Sequence, residues 1–265
     1  MYNIIKAQFY QIWRENATYY TFLAGIGLVY YSIMMAVYDG GADLAEMTGG
    51  DILISGGFSV IALFLIMITT ARICGNDMSD KTMNYEIIAG IKRSRIYMGR
   101  IVVSVVFSAI LYILVAVCPV ILFTAINGWG HTMPAAEAVH RIAAGYCVML
   151  RAVGVAAMLT FLCRNAGLGI LSGFILFMSE SLALIVNDEL TLCKPRKLIP
   201  FISLAGTNEL EYYNMTLDHI DGKDVEVLKD MMSSETAALI VISGLAAGAL
   251  FTAVGYLYFR KKDID

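Results

Sequence analysis

The sequence predicts an all-α, polytopic membrane protein, and three observations carry that reading. Hydrophobic residues make up 58% of the 265 and charged residues only 15%, with a mean hydropathy of +0.70, outside the range of a soluble domain. The apolar residues fall into six runs of about 20, each long enough to cross a bilayer as a helix. The charges gather between these runs, most densely from Arg72 to Arg100, which holds Arg72, Lys81, Lys92, Arg93, Arg95 and Arg100.

The expected spans cover roughly residues 17–37, 52–73, 101–125, 142–163, 167–186 and 237–259. Together they form one transmembrane domain over 1–265. Ahead of them Met1, Ile5, Phe9, Ile12 and Trp13 recur at helical spacing, opposite Asn3, Lys6, Gln11 and Arg14. Residues 1–15 are therefore expected as a helix lying in the cytoplasmic interface. Only Arg164, Asn165 and Ala166 separate the fourth and fifth spans, so these two must be antiparallel neighbours. Residues 187–236 form the longest outer loop, where Val225, Leu228 and Met232 predict a short amphipathic helix.

Basic residues set the sidedness. With both termini inside, the inner side carries the six of the central stretch together with Lys6, Arg14, Arg164, Arg260, Lys261 and Lys262. The outer side then carries Arg141, Lys194, Arg196, Lys197, Lys223 and Lys229, half as many. The positive-inside rule thus predicts cytoplasmic N- and C-termini and a cytoplasmic central stretch, in an inner or plasma membrane.

No chemistry of bond making is visible. The chain has no G-x-x-x-x-G-K-[ST] phosphate loop, no H-E-x-x-H, no G-x-S-x-G and no paired His/Cys cluster. No catalytic residue, metal site, cofactor site or nucleic-acid contact is expected. The five cysteines read as small buried hydrophobes. Gly169/Gly173 and Gly244/Gly248 have the spacing of close helix packing, within the chain or between subunits, with the fifth span the better subunit interface. Arg151 and Glu180 lie at similar depth on the fourth and fifth spans and are expected to form an intramembrane ion pair.

The central stretch holds a short helix of its own, from Ser79 to Ala89, capped by Ser79 or Asp80 and ended by Gly90. Met83 and Ile87 are expected on its exposed side, apolar knobs inside a charged rim that suit insertion into a groove on another protein. Asp77, Thr82, Gly90, Arg93 and Arg100, with Ile96–Tyr97, follow one another in an order that resembles the first cytoplasmic loop of bacterial type-2 ABC transporter permease subunits, the six-span class that includes antimicrobial-peptide resistance exporters. The chain departs from that pattern at Lys81, Lys92 and Arg100. The resemblance implies a coupling helix whose ATPase-docking residues are Asp77, Asp80, Lys81, Thr82, Met83, Tyr85, Glu86, Ile87, Gly90 and Arg93. It also implies a separate ABC ATPase that binds ATP and Mg, and a second permease subunit, the same chain or a paralogue. The alternatives to a permease subunit are a non-transporting sensor or scaffold subunit and a secondary transporter, which would show more ionisable residues along its spans and inverted repeats.

Overall fold

The computed structural model describes residues 2–40, 47–55, 58–79, 82–190, 215–220, 223–228 and 234–261, with side chains left out at some helix ends and in most of the strand residues. Its helices are α1 (Tyr2–Arg14), α2 (Asn16–Gly40), α3 (Gly49–Ser55), α4 (Phe58–Ser79), α5 (Thr82–Ile88), α6 (Arg93–Tyr112), α7 (Cys118–Asn127), α8 (Ala135–Cys163), α9 (Ala166–Leu190) and α10 (Ser234–Lys261). A hairpin of β1 (Met215–Ile220) and β2 (Lys223–Leu228) precedes α10.

Four of these helical stretches are long and apolar enough to cross a membrane: Val60–Met78, Arg93–Asn127, Ala135–Cys163 and Ala237–Lys261. α2 and α9, each 25 residues long, stand outside this set. That set is drawn from the described residues alone, which leave out side chains at the end of α2 and limit the apolar part of α9 to Ala166–Ser179.

Arg93–Asn127 is continuous because α6 and α7 are joined by a π-helical turn, Ile113–Val117. Pro119 lacks a backbone N–H and disturbs the ladder one turn before it, and the Cys118 N–H reaches back to the Ile113 carbonyl instead. At 1.5 Å per residue this helix is about 50 Å long, well beyond the roughly 30 Å of a hydrocarbon core.

The run expected at 52–73 is covered by α3 and α4, with α4 continuing to Ser79, and residues 56 and 57 lie outside the described residues. One expectation is corrected by the fold. The helix expected through Val225 and Leu228 is instead a hairpin, with Ile220 opposite Lys223 and Asp221–Gly222 between them. Asp-Gly is a strong two-residue hairpin signal, and it overrides a three-residue apolar spacing.

The core lies between α4, α6 and α8, where Leu63, Ile66, Leu111, Val115, Ala152 and Ala156 are fully or almost fully buried. α10 seals it on one flank along a seam of small residues. A Cβ on Gly154 would stand 2.6 Å from the Gly248 carbonyl oxygen, and one on Gly244 would stand 2.6 Å from that of Cys147. Gly169 meets Thr160 of α8 and Gly173 meets Met67 of α4. Both glycine pairs therefore serve packing within the chain, and the fifth expected span spends these glycines on its own neighbours rather than on a second subunit.

Candidate functional site

One end of the bundle brings together the segments that the sequence marked as central. α1, the C-terminal end of α4, α5, the start of α6, the α8–α9 turn and the last turn of α10 all meet there. Ile4 sits against Gly99, Ala166 against Gly75, and the Arg93 guanidinium donates to the Phe259 and Arg260 carbonyls at 3.4 and 3.5 Å. A cation at the open carbonyls of a helix C-terminus is favourably placed. The N-terminal helix and the end of α10 consequently lie on the same side.

α5 is two turns long and is held by its end and its inner face. Gly90, at φ +83, ends it. The Gly90 N–H donates to the Ile87 carbonyl at 2.9 Å and the Ile91 N–H to that of Glu86 at 3.2 Å, a Schellman stop. Its inner face is Met83, 1% exposed, which packs in a cluster with Cys74, Ile96, Tyr97, Ala157, Phe161 and Phe259. Tyr97 organises that cluster. Its ring lies 4.6 Å from Phe161, and its hydroxyl donates to the Thr252 carbonyl at 2.7 Å, tying α6 to α8 and α10.

The second anchor is ionic. Arg100, with no exposed surface, places Nη2 2.7 Å from Asp77 and 3.5 Å from Glu86, and donates from Nη1 to the Cys74 carbonyl at 3.2 Å. Asp77 also accepts from Gln8 at 3.1 Å and Gln11 at 3.2 Å, so α1 joins the same network. Beside it Arg72 pairs with Glu15 at 2.8 Å, and Asn76 donates to Glu15 at 3.0 Å. Burial pushes the Glu86 carboxyl above its ordinary range; Arg100 draws it back down and Asp77 adds to the rise.

The model of the DUF2705 family, described as "protein of unknown function", matches residues 5–264. The chain belongs to that family. None of the curated proteins matches it.

In this DUF2705 chain the expected docking residues divide. Asp77, Glu86 and Arg93 are structural ties, Gly90 is the stop, and Asp80 and Lys81 lie outside the described residues, as does the side chain of Thr82. Ser79 is the last described residue of α4, and the expected cap of α5 falls on side chains outside the described residues. Met83 and Ile87 do share one face, but Met83 is buried and Ile87 half-buried against the bundle, because the apolar cluster of α4, α6, α8 and α10 takes that face of the short helix. The outward residues are Tyr85, 73% exposed, and Ile88, 80% exposed. The roles of Gln8, Gln11 and Glu15 are not foreseen from the sequence, where Gln11 is placed only on the polar face. Their signal is hydrogen-bonding side chains beside the α1 apolar stripe and just past its end. Arg151 is buried within α8; Glu180 is in α9 with its side chain outside the described residues.

Among the described residues no group of His, Cys, Asp and Glu is arranged to hold a metal. Chemically the site is a mechanical joint, in which a short helix with an exposed aromatic and aliphatic tip is fixed to four long helices.

Proposed function

We propose that this chain is the membrane-spanning permease subunit of an ATP-driven ABC exporter, with α5 as its coupling helix. In this reading α2, α4, α6–α7, α8, α9 and α10 make six crossings, both termini are cytoplasmic, and the α5 end of the bundle faces the cytoplasm. The basic residues near that end, among them Lys6, Arg14, Lys92, Arg95, Arg164 and Arg260, support the orientation. A second permease subunit completes the pathway. A separate ATPase binds ATP and Mg, and its closure moves the bundle through α5.

The observation that carries the reading is the construction of α5. Met83 and Glu86 fix its inner side to α4, α6, α8 and α10, while Tyr85 and Ile88 stand outward. A short helix with an aromatic and an aliphatic anchor on a rigid base suits insertion into a groove. A push on it reaches Tyr97 and hence the long helices.

Co-purification tests this. The wild-type chain, extracted in mild detergent, carries an ABC ATPase with it, and Tyr85→Asp with Ile88→Asp removes the ATPase without altering membrane insertion. Burying an unpaired charge in the groove costs roughly several kcal/mol. An ATPase retained by the double variant, or absent from the wild-type complex, sinks the proposal.

A further inference from the structure

The outward face of α1 carries cationic and aromatic side chains, while most of its apolar residues are used inside the protein. Ile12 is buried with Ile73, Val103 and Phe107, and Ile5 and Phe9 pack against the same cluster. The helix therefore does not lie with its apolar stripe in lipid, as its spacing predicted. Its polar residues toward α4 are engaged too, since the buried Gln8 and the exposed Gln11 both donate to Asp77.

The acid of the elbow between α1 and α2, Glu15, and the neighbouring Asp77 of α4 are both paired with arginines of the bundle. Glu15 pairs with Arg72 and accepts from Asn76, and Asp77 pairs with Arg100. Facing out, beside the neutral Asn3, Ala7 and Gln11, are Lys6, Tyr10, Trp13 and Arg14, with Tyr10 65% and Trp13 60% exposed. Arg14 is held over this face, its Nη1 donating to the Tyr10 hydroxyl at 3.1 Å and its guanidinium 6.0 Å from the Tyr10 ring centre. Immediately beyond the elbow the exposed side of α2 opens with Tyr19 and Tyr20 and continues into Leu23 and Ile26.

We propose that the α1–α2 elbow is a docking surface for anionic lipid headgroups, with Lys6 and Arg14 binding the phosphodiester oxygens and Tyr10, Trp13, Tyr19 and Tyr20 seated in the headgroup layer. Tyr and Trp prefer that layer, where one side of the ring is apolar and the other wet. The charge is complementary, with two cations outward and both acids paired with arginines of the bundle. The surface is also continuous with the aliphatic side of α2, which faces acyl chains when that helix crosses the bilayer. A protein partner would require no such continuity. This inference is independent of α5 and of any ATPase.

The chain has two tryptophans, Trp13 and Trp129, so the part of the emission lost in Trp13→Phe reports on the elbow alone. The full chain is reconstituted in phosphatidylcholine vesicles containing an equal fraction of either brominated phosphatidylglycerol or brominated phosphatidylcholine. Because a basic side chain near an anionic surface is worth about fivefold in local enrichment, brominated phosphatidylglycerol quenches Trp13 more strongly than brominated phosphatidylcholine. The excess shrinks at high salt, which screens exposed charge. It disappears in Lys6→Gln with Arg14→Gln, whose sites are exposed and carry no core packing. Equal quenching of wild-type Trp13 by the two lipids overturns the proposal, whatever the variant does. So does an excess that persists in the double variant.

Discussion

Arg100 and Asp77 meet at 2.7 Å across the joint between α4 and α6, the arginine wholly buried and the aspartate partly so. The pair is the centre of a larger arrangement in which one guanidinium serves Asp77, Glu86 and the Cys74 carbonyl, while Asp77 in turn receives α1 through Gln8 and Gln11. Four separate elements depend on a single cation, which makes the two members of the pair unequal. Without Asp77, Arg100 keeps Glu86 and the Cys74 carbonyl. Without Arg100, two carboxylates face each other in a poorly solvated site.

The stability of variants should follow that inequality. Arg100→Gln is expected to cost about 3–5 kcal/mol, as for a buried pair broken from one side. Asp77→Asn should cost less, and Gln8→Ala about 1 kcal/mol, the worth of one hydrogen bond. Thermal unfolding of the purified variants in one detergent reads the order, and an Arg100 variant no weaker than Gln8→Ala would contradict it.

Glu86 gives the same joint a pH dependence whose sign is fixed by its raised pKa. A carboxyl that titrates higher when folded contributes stability that is fully present below its unfolded value, about 4.3. That contribution is lost as pH rises through the folded value. Against Glu86→Gln, the wild type should therefore hold its own in acid and fall behind on approach to neutrality. Melting temperatures of the two proteins across that range test it, and parallel curves would remove Glu86 from the account.

Backbone approach makes the seam between α8 and α10 intolerant of size. Gly154 and Gly244 each face a carbonyl oxygen that would be 2.6 Å from an added Cβ, so the obstacle is backbone and no side chain can turn aside. Gly154→Val and Gly244→Val should each cost at least the 1–3 kcal/mol of ordinary overpacking. Gly27, with nothing within 4 Å of its Cβ position, should accept Ala without loss. Folded yield after detergent extraction separates these outcomes.

Much of this was legible in the sequence, and the remainder is instructive. The apolar runs located most of the helices to within a few residues; the departures are α4, which runs from Phe58 to Ser79 where 52–73 was expected, and the starts of α6 at Arg93 and α8 at Ala135, where charged residues extend a helix past the apolar core without interrupting it. Gly90 marked the stop of α5 because a positive φ is cheap only for glycine. The pairing of Met83 with Ile87 on one face was also readable from their spacing. Which way that face points was not, since two turns of helix carry no information about whether an apolar face meets its own bundle or a partner. The tie between Gln8 and Asp77 spans 69 residues and depends on the angle between α1 and α4, which no local pattern encodes.

The end of the bundle opposite α5 is closed by a second polar knot, and it supplies a final expectation. Asp51, in the first turn of α3, accepts from the Thr48 N–H at 2.9 Å and from the Thr48 hydroxyl at 2.7 Å, so these two residues cap α3. The other carboxylate oxygen accepts from the Thr132 hydroxyl, and the Thr132 carbonyl receives the Leu228 N–H of β2 at 2.8 Å. Gly49 and Gly50 donate to the Gly128 and Trp129 carbonyls at 3.1 and 3.0 Å. One carboxylate thus joins α3, the α7–α8 connection and, through Thr132, the hairpin. Asp51→Ala removes the charge-assisted bonds, each worth about 1.5–3 kcal/mol. Thr132→Val removes only one of them and keeps the backbone bond to β2, so it should cost less. Amide hydrogen exchange distinguishes a local knot from a global one: protection should fall at Gly49, Gly50 and Leu228 in Asp51→Ala while Arg100 and its neighbours in α6 remain as protected as in the wild type. Loss of protection in α6 to the same degree would mean that Asp51 holds the whole bundle, and unchanged protection at Gly49 and Gly50 would mean that it holds nothing.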